Sequence, residues 1–337
     1  MNNKITIYCD GVFDLFHKGH LEHLKNIKNY FNQQTYLIVG VISDKLCTNY
    51  KRKPILNEIY RKKILSSCIY TDEVIIVNSL IVDNFFLINN NIDYVFHAFS
   101  DKNDKNKQYE FYEIPIKLQK FIEIEYYAGI STTKIIKDYL NWTDIFELKG
   151  NNPDLLNQNG YDDTLFDPYK CITQILYYLK LDDKNDKILD LGCGSGLLSC
   201  VLKDDGYDDY IGVDKSNSLC LNHINLLNRI ALSFDSTDII FKSKYFDFSI
   251  CNSMLEYLLS IDDVEKTINE LERITKKGIY VGSIRKKTHT NKKNKHKYNG
   301  IFTHLVLNES FFINKGYTII NCVYDNDNRF DAYKLFI

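Results

Sequence analysis

Short apolar runs at Ile5–Tyr8, Tyr36–Ile42, Glu73–Val77 and Asp93–Phe96 are separated by segments long enough to be helices. Runs of this length without strict alternation read as strands buried on both faces, and their spacing predicts a parallel sheet covered by helices. The pattern closes with a helix near Thr132–Leu140. Leu148 to Pro168 is rich in Asn, Asp and Gly and holds two prolines, as a linker or capping arm would. A second alternation comes next, with strands at Lys187–Leu191, Asp209–Val213, Phe246–Cys251 and Gly278–Ser283, then two more strand-like runs, Tyr317–Tyr324 and Asp331–Phe336. The glycine-rich turns of the two halves differ, so the halves are not copies of one unit.

A length of 337 residues fits two such domains. The net charge of −2, from 42 basic and 44 acidic side chains, gives no electrostatic case for wrapping nucleic acid, so any polyanion site must be local. Nine scattered cysteines form neither a disulfide framework nor a zinc ribbon and point to a reducing, cytoplasmic setting. No apolar stretch approaches the roughly 20 residues that span a bilayer, and the first ten residues have strand character rather than that of a signal peptide. Small-molecule substrates are the partners this leaves, with no nucleic acid and no membrane span.

The first constellation is Tyr8-Cys-Asp10-Gly11-Val-Phe13-Asp-Leu-Phe-His17-Lys-Gly19-His20, which leaves a strand and enters a helix. Both histidines stand where backbone N–H groups are unpaired and the helix dipole is positive, which suits a phosphate. Three residues apart, they project to the same side of one helical turn. Two imidazole donors there can stabilise charge growing on phosphate oxygens during nucleotidyl transfer. An isolated His-x-Gly-His is equally a solvated helix cap, and His17, His20 and His23 together are equally a metal set; no metal is expected here.

With the stretches Tyr36–Asp44, Asn49-Tyr-Lys51, Asn57–Lys62, Tyr70–Val74 and Gly129-Ile130-Ser131-Thr132-Thr-Lys-Ile135 coming in order, residues 5–140 resemble the cytidylyltransferase family that includes the choline-phosphate, ethanolamine-phosphate and glycerol-3-phosphate enzymes. The resemblance implies CTP, with Mg2+, as substrate and a homodimer through this domain. It assigns catalysis to His17, His20 and Lys51. CTP binding falls to Gly11, Phe13, Gly19, Arg61, Gly129, Ile130, Ser131 and Thr132, and the acceptor to Asp10. Three positions depart from the family pattern. Tyr126 stands where an arginine is usual, Ala98 follows His97 where acidic residues are usual, and Leu80 replaces an expected aromatic residue.

The second constellation, Asp190-Leu-Gly192-Cys-Gly194-Ser-Gly196, ends a strand and opens a helix, and Asp214 closes the next strand, where it could hold a ribose diol. Leu197 occupies the place of the third glycine of a dinucleotide fingerprint. The spacing resembles class I S-adenosylmethionine methyltransferases, which implies S-adenosylmethionine at Asp190, the three glycines, Asp214 and Asp235. A lysine-punctuated loop, Lys286 to Lys297, and then His304 lie on the substrate side.

The fold expected is α/β with two tandem Rossmann-like domains, a His-x-Gly-His nucleotidyltransferase over 1–145 and a class I methyltransferase over 169–337, joined by 146–168. The function expected is CMP transfer from CTP to a small phosphorylated alcohol together with methylation of a related metabolite. In one version ethanolamine phosphate is N-methylated and then activated, with Tyr126 and Tyr127 facing the cation. An adenylyltransferase, or a nucleotide-binding module with one inactive domain, is the alternative.

Overall fold

The computed structural model describes residues 4–50, 52–135, 168–286, 305–323 and 328–336, which form two compact α/β units. Lys51, His304, Lys287 to Lys297 and the segment between the units lie outside the described residues.

In the first unit the strands are β1 (Ile5–Gly11), β2 (Thr35–Ile42), β3 (Glu73–Val77), β4 (Tyr94–His97) and β5 (Phe121–Glu123), all parallel in the order β3-β2-β1-β4-β5. The first four match the apolar runs. β5 is three residues long, too short to register as a run. Ile7, Cys9, Leu37, Val39 and Val95 are fully buried along the middle of the sheet, as parallel strands covered on both faces require. Helices α1 (Lys18–Lys28), α2 (Asp44–Tyr50), α3 (Glu58–Ser67), α4 (Asn84–Asn89), α5 (Lys102–Gln108) and α6 (Glu113–Lys117) make the connections. α1 buries Leu21, Leu24 and Ile27, three residues apart, on one face. The strand order reverses between β1 and β4, and in an open parallel sheet the crevice beyond the strand ends at that point is where ligands bind.

The second unit is a seven-stranded sheet in the order β11-β12-β10-β9-β6-β7-β8. Its strands are β6 (Ile188–Leu191), β7 (Tyr210–Asp214), β8 (Ala231–Ser233), β9 (Phe246–Asn252), β10 (Thr275–Arg285), β11 (Thr318–Asn321) and β12 (Arg329–Leu335). β12 runs antiparallel between β10 and β11, and the other pairings, from β10 through β8, are parallel. A sheet of this α/β kind is the architecture expected of this half of the chain. Helices α7 (Pro168–Leu179), α8 (Leu197–Asp204), α9 (Asn217–Leu227), α10 (Ile261–Ile274) and α11 (Glu309–Asn314) accompany it. α10 starts at Ser260, whose side chain caps Asp263 N, and buries Val264, Ile268 and Leu271. Here the order reverses between β6 and β9, which places the Gly192–Gly196 turn and Asn252 at the crevice.

Candidate functional site

The first unit holds a cavity of about 350 Å³ beyond the ends of β1 and β4. His17 is the N-cap of α1, in extended backbone, and its Nδ1 accepts from Gly19 N at 3.1 Å; His20 Nδ1 accepts from His17 N at 3.4 Å. This reciprocal cap stacks the two rings with centroids 3.8 Å apart. Because both Nδ1 atoms accept, each neutral ring carries its proton on Nε2, which assigns both as hydrogen-bond donors at that atom. A side chain at Gly19 would press on the His17 ring and the Ile130 carbonyl, so only glycine lets helix, ring and loop close together.

Burial holds His17 and His23 down to about 4, and it holds His20 well below the usual histidine value, helped by its histidine neighbours. The unfolded histidines titrate near 6.5, so between about 4 and 6.5 the unfolded chain binds more protons and acid destabilises the fold. Asp10 acts oppositely. Burial raises its carboxyl from 3.8 to about 6, so falling pH favours the folded form through that window. Three histidines outweigh one carboxyl, and thermal melts of the first unit's signal should drop between pH 7 and pH 5. A flat profile would contradict the buried, neutral imidazoles.

The turn that delivers the histidines is backbone-strained: Phe13 and Leu15 have φ of 52° and 47°. Phe13 and Phe16 both pack on the His20 ring. Asp14, buried in the same turn, accepts from Arg52 Nη1, Ile55 N and Leu56 N, each at 3.0 Å, and so ties the 52–56 loop to the histidine turn. On the opposite wall Ser131 Oγ accepts from Lys134 N, opening a helical turn, and Thr132 Oγ1 donates to Asp14 O while lying 3.4 Å from His17 Nε2.

Asp10 sits at the floor, where Tyr8 Oη donates to Oδ2 at 3.1 Å and Tyr112 Oη to Oδ1 at 2.6 Å. His97 Nδ1 lies 2.8 Å from Tyr112 Oη; since that hydroxyl gives its proton to Asp10, His97 takes the donor role. Phe111, Tyr126 and Tyr127 add aromatic wall, and Ala98 and Leu80 line the cavity where charge and an aromatic ring were expected.

Of the expected residues, Asp10, Gly11, Phe13, His17, Gly19, His20, Ile130, Ser131 and Thr132 converge on this cavity. Gly129 is not among its lining residues. Arg61 is placed elsewhere. It is fully buried outside the lining, with its guanidinium donating to the carbonyls of Leu56, Val12 and Ile42 and to Asp44 Oδ1. It clamps three loops and does not face the cavity. The guanidinium that does line the cavity is Arg52, and its only sequence signal was adjacency to Lys51. Tyr112 gave no signal, being 102 positions from the carboxylate it serves.

In the second unit Gly192, Gly194 and Gly196 all have positive φ, 82°, 52° and 101°, which winds the turn tightly enough to bare its backbone. Asp214, at the end of β7, accepts from Gly194 N at 3.0 Å and Ser216 N at 2.8 Å, so the acidic residue and the glycine turn form one cradle. Asp235, after β8, is tied to Thr237 and to Lys215 Nζ at 2.9 Å, beside the Phe234 N to Asp214 O hydrogen bond. The bared glycine backbone and the carboxylate fit an adenosine-bearing ligand. Asp190 faces inward. It is 2% exposed, its carboxylate accepts from Tyr210 Oη at 2.8 Å, and burial raises its pKa to about 7, so it braces the strand ends from inside. Gly192→Ala would set a Cβ 2.6 Å from Met254 at a left-handed φ. The strain alone costs about 1–2 kcal/mol. Calorimetry should find S-adenosylmethionine bound about tenfold more weakly or worse; unchanged affinity would remove the turn from the site.

Comparison with known proteins agrees with both geometries. The family described as Cytidylyltransferase-like matches residues 8–138, and the family described as Methyltransferase domain matches residues 189–281. Choline-phosphate cytidylyltransferase 2 of Arabidopsis thaliana is 35% identical over 140 residues, 40% of this chain and 46% of that protein. The ethanolamine-phosphate cytidylyltransferase of Dictyostelium discoideum is likewise 35% identical over 140 residues, 40% of this chain and 38% of that one. The chain thus spans less than half the length of these relatives. Magnesium protoporphyrin IX methyltransferase from Synechocystis PCC 6803 superposes on 60% of this chain and 99% of its own with 16% identity and a TM-score of 0.41. The chain therefore matches a cytidylyltransferase-like family over residues 8–138 and a methyltransferase-domain family over residues 189–281, both of them enzyme families.

Proposed function

We propose that the first unit transfers CMP from CTP, accompanied by Mg2+, to a phosphorylated amino alcohol, and that the second methylates a related metabolite. The observation that carries this reading is the pairing, in one cavity, of two imidazole donors at a helix start with a buried carboxylate set among aromatic rings. The histidines suit the α-phosphate. As an oxygen of the acceptor phosphate bonds to the α-phosphorus and the bond to pyrophosphate breaks, Nε2–H of His17 and His20 donates to the oxygens that gain charge. Thr132, against His17 Nε2, keeps that ring aimed in the free site. Asp10, held by Tyr8 and Tyr112, meets an ammonium head, and the rings of Tyr112, Tyr126 and Tyr127 that line the cavity supply aromatic surface around it. A head with only hydroxyl groups makes poor use of such a floor.

In the second unit, S-adenosylmethionine supplies an electrophilic methyl group when bound. The chain's part is to bare the Gly192–Gly196 backbone, to offer Asp214 to the ribose and to align an acceptor, which is the main requirement of this chemistry.

The test is pyrophosphate release with CTP or ATP against choline phosphate, ethanolamine phosphate, glycerol 3-phosphate and pentitol phosphates. Release is expected with CTP and the two amino-alcohol phosphates. Preference for ATP, or for glycerol 3-phosphate, would overturn the reading. Tyr126, in place of the usual arginine, favours a second reading in which the cavity binds CTP without turning it over; binding by calorimetry with no release across the panel is its signature.

A further inference from the structure

The cavity of the first unit is poor in the positive charge that a triphosphate calls for. Three carboxylates, Asp10, Asp14 and Asp104, are among its described lining residues, and Arg52 is the single lysine or arginine among them. The histidines do not make up the difference. Burial keeps His17 and His23 at about 4 and His20 well below its usual value, so all three are neutral near pH 7. They can donate hydrogen bonds, but the formal charge offered to a polyanion by these residues is that of one guanidinium.

That guanidinium is held by one edge. Nη1 donates to Asp14 Oδ2 at 3.0 Å and to Lys53 O at 3.1 Å, while Nη2 and Nε make no hydrogen bond among the described residues. Asp14 is buried, 2% exposed, and accepts from Ile55 N and Leu56 N as well, whereas the Arg52 side chain is 43% exposed. The buried carboxylate thus anchors Nη1 and leaves Nη2 and Nε, the pair of parallel donors that fits two oxygens of a phosphate. Asp14 is also three residues before His17, and its carbonyl accepts from Thr132 Oγ1, which lies 3.4 Å from His17 Nε2. One residue therefore sets the cation and the imidazole in a common frame.

The sheet order separates the two ends of the reaction. Arg52 follows α2, the helix after β2, on one side of β1; His97 ends β4 on the other side and reaches Asp10 through Tyr112. An acceptor seated on Asp10 attacks from the β4 side, and in-line transfer sends the leaving group away from it, toward β2. Resting on the reading of the first unit as a CMP transferase, we propose that Arg52 holds the β- and γ-phosphates of CTP and receives the departing pyrophosphate. An ionised oxygen of the acceptor phosphate bonds to the α-phosphorus, and the bond from that phosphorus to the bridging oxygen breaks. The electron pair leaves on pyrophosphate, where the guanidinium balances the added charge, and no proton need move.

The experiment uses the full chain. CTP, CMP and inorganic pyrophosphate are titrated by calorimetry in the presence of Mg2+, and the readout is the ratio of CTP to CMP affinity, which loss of folded protein leaves alone. Arg52→Gln can still donate to Asp14 but carries no charge. It should lower that ratio about tenfold or more and weaken pyrophosphate by a similar factor, while CMP, which lacks the outer phosphates, binds as in wild type. Arg52→Lys keeps the charge and the pairing with Asp14 but loses the fork, and it should lower the ratio by less. A ratio unmoved in both variants, or pyrophosphate held by Arg52→Gln as tightly as by wild type, overturns the proposal while the CMP-transfer reading stands. Wild-type protein that binds no CTP overturns that reading and the proposal with it.

Discussion

Replacing His17 by asparagine is expected to cut CTP-dependent pyrophosphate release by roughly 10²- to 10³-fold, the loss typical of removing one preorganised donor from charge developing on oxygen. Asparagine is the informative choice because His17 has two tasks. Its Nδ1 caps α1 and its Nε2 faces the cavity. Asparagine is among the best N-cap residues, so it preserves the first task and removes the second. The melting temperature should therefore stay within a few degrees of wild type while turnover collapses. Activity near wild type would show that His17 only caps the helix and would sink the catalytic assignment.

The second large effect concerns stability. Arg61→Met should destabilise the first unit by an amount on the order of 4 kcal/mol, read from urea denaturation. The guanidinium serves three carbonyls and Asp44 at once, and methionine leaves the carbonyls buried without donors. Lysine should rescue little, because one ammonium cannot reach four acceptors set in different directions. Unchanged stability with a higher KM for CTP would restore Arg61 to the nucleotide site and strip it of its role as a clamp.

Arg61 illustrates what the chain's order of residues discloses and what it conceals. Strands, glycine turns and the His-x-Gly-His cap are local, with partners within a few positions, so their geometry is legible from spacing. Arg61 and Asp190 sit in motifs that looked functional, yet whether a charged side chain faces a ligand or the protein depends on groups brought near only by folding. Tyr210 takes up Asp190 from 20 positions away, and Val12 takes up Arg61 from 49. The same distance hid Tyr112 behind Asp10. Arg52 could not be tied to the histidine turn before folding set it beside Asp14, 38 positions away.

The left-handed backbone at Phe13 and Leu15 bears on how such a chain could adapt. Glycine at either position would relieve the backbone but would empty a buried place in the core, a net loss of stability. The same change would widen the range of shapes open to the segment carrying the histidines, so that ordering them would fall to the nucleotide at each encounter. A variant suited to hotter conditions would do better to gain its stability elsewhere, in α10 or along the sheet, and to leave the twisted turn as it stands.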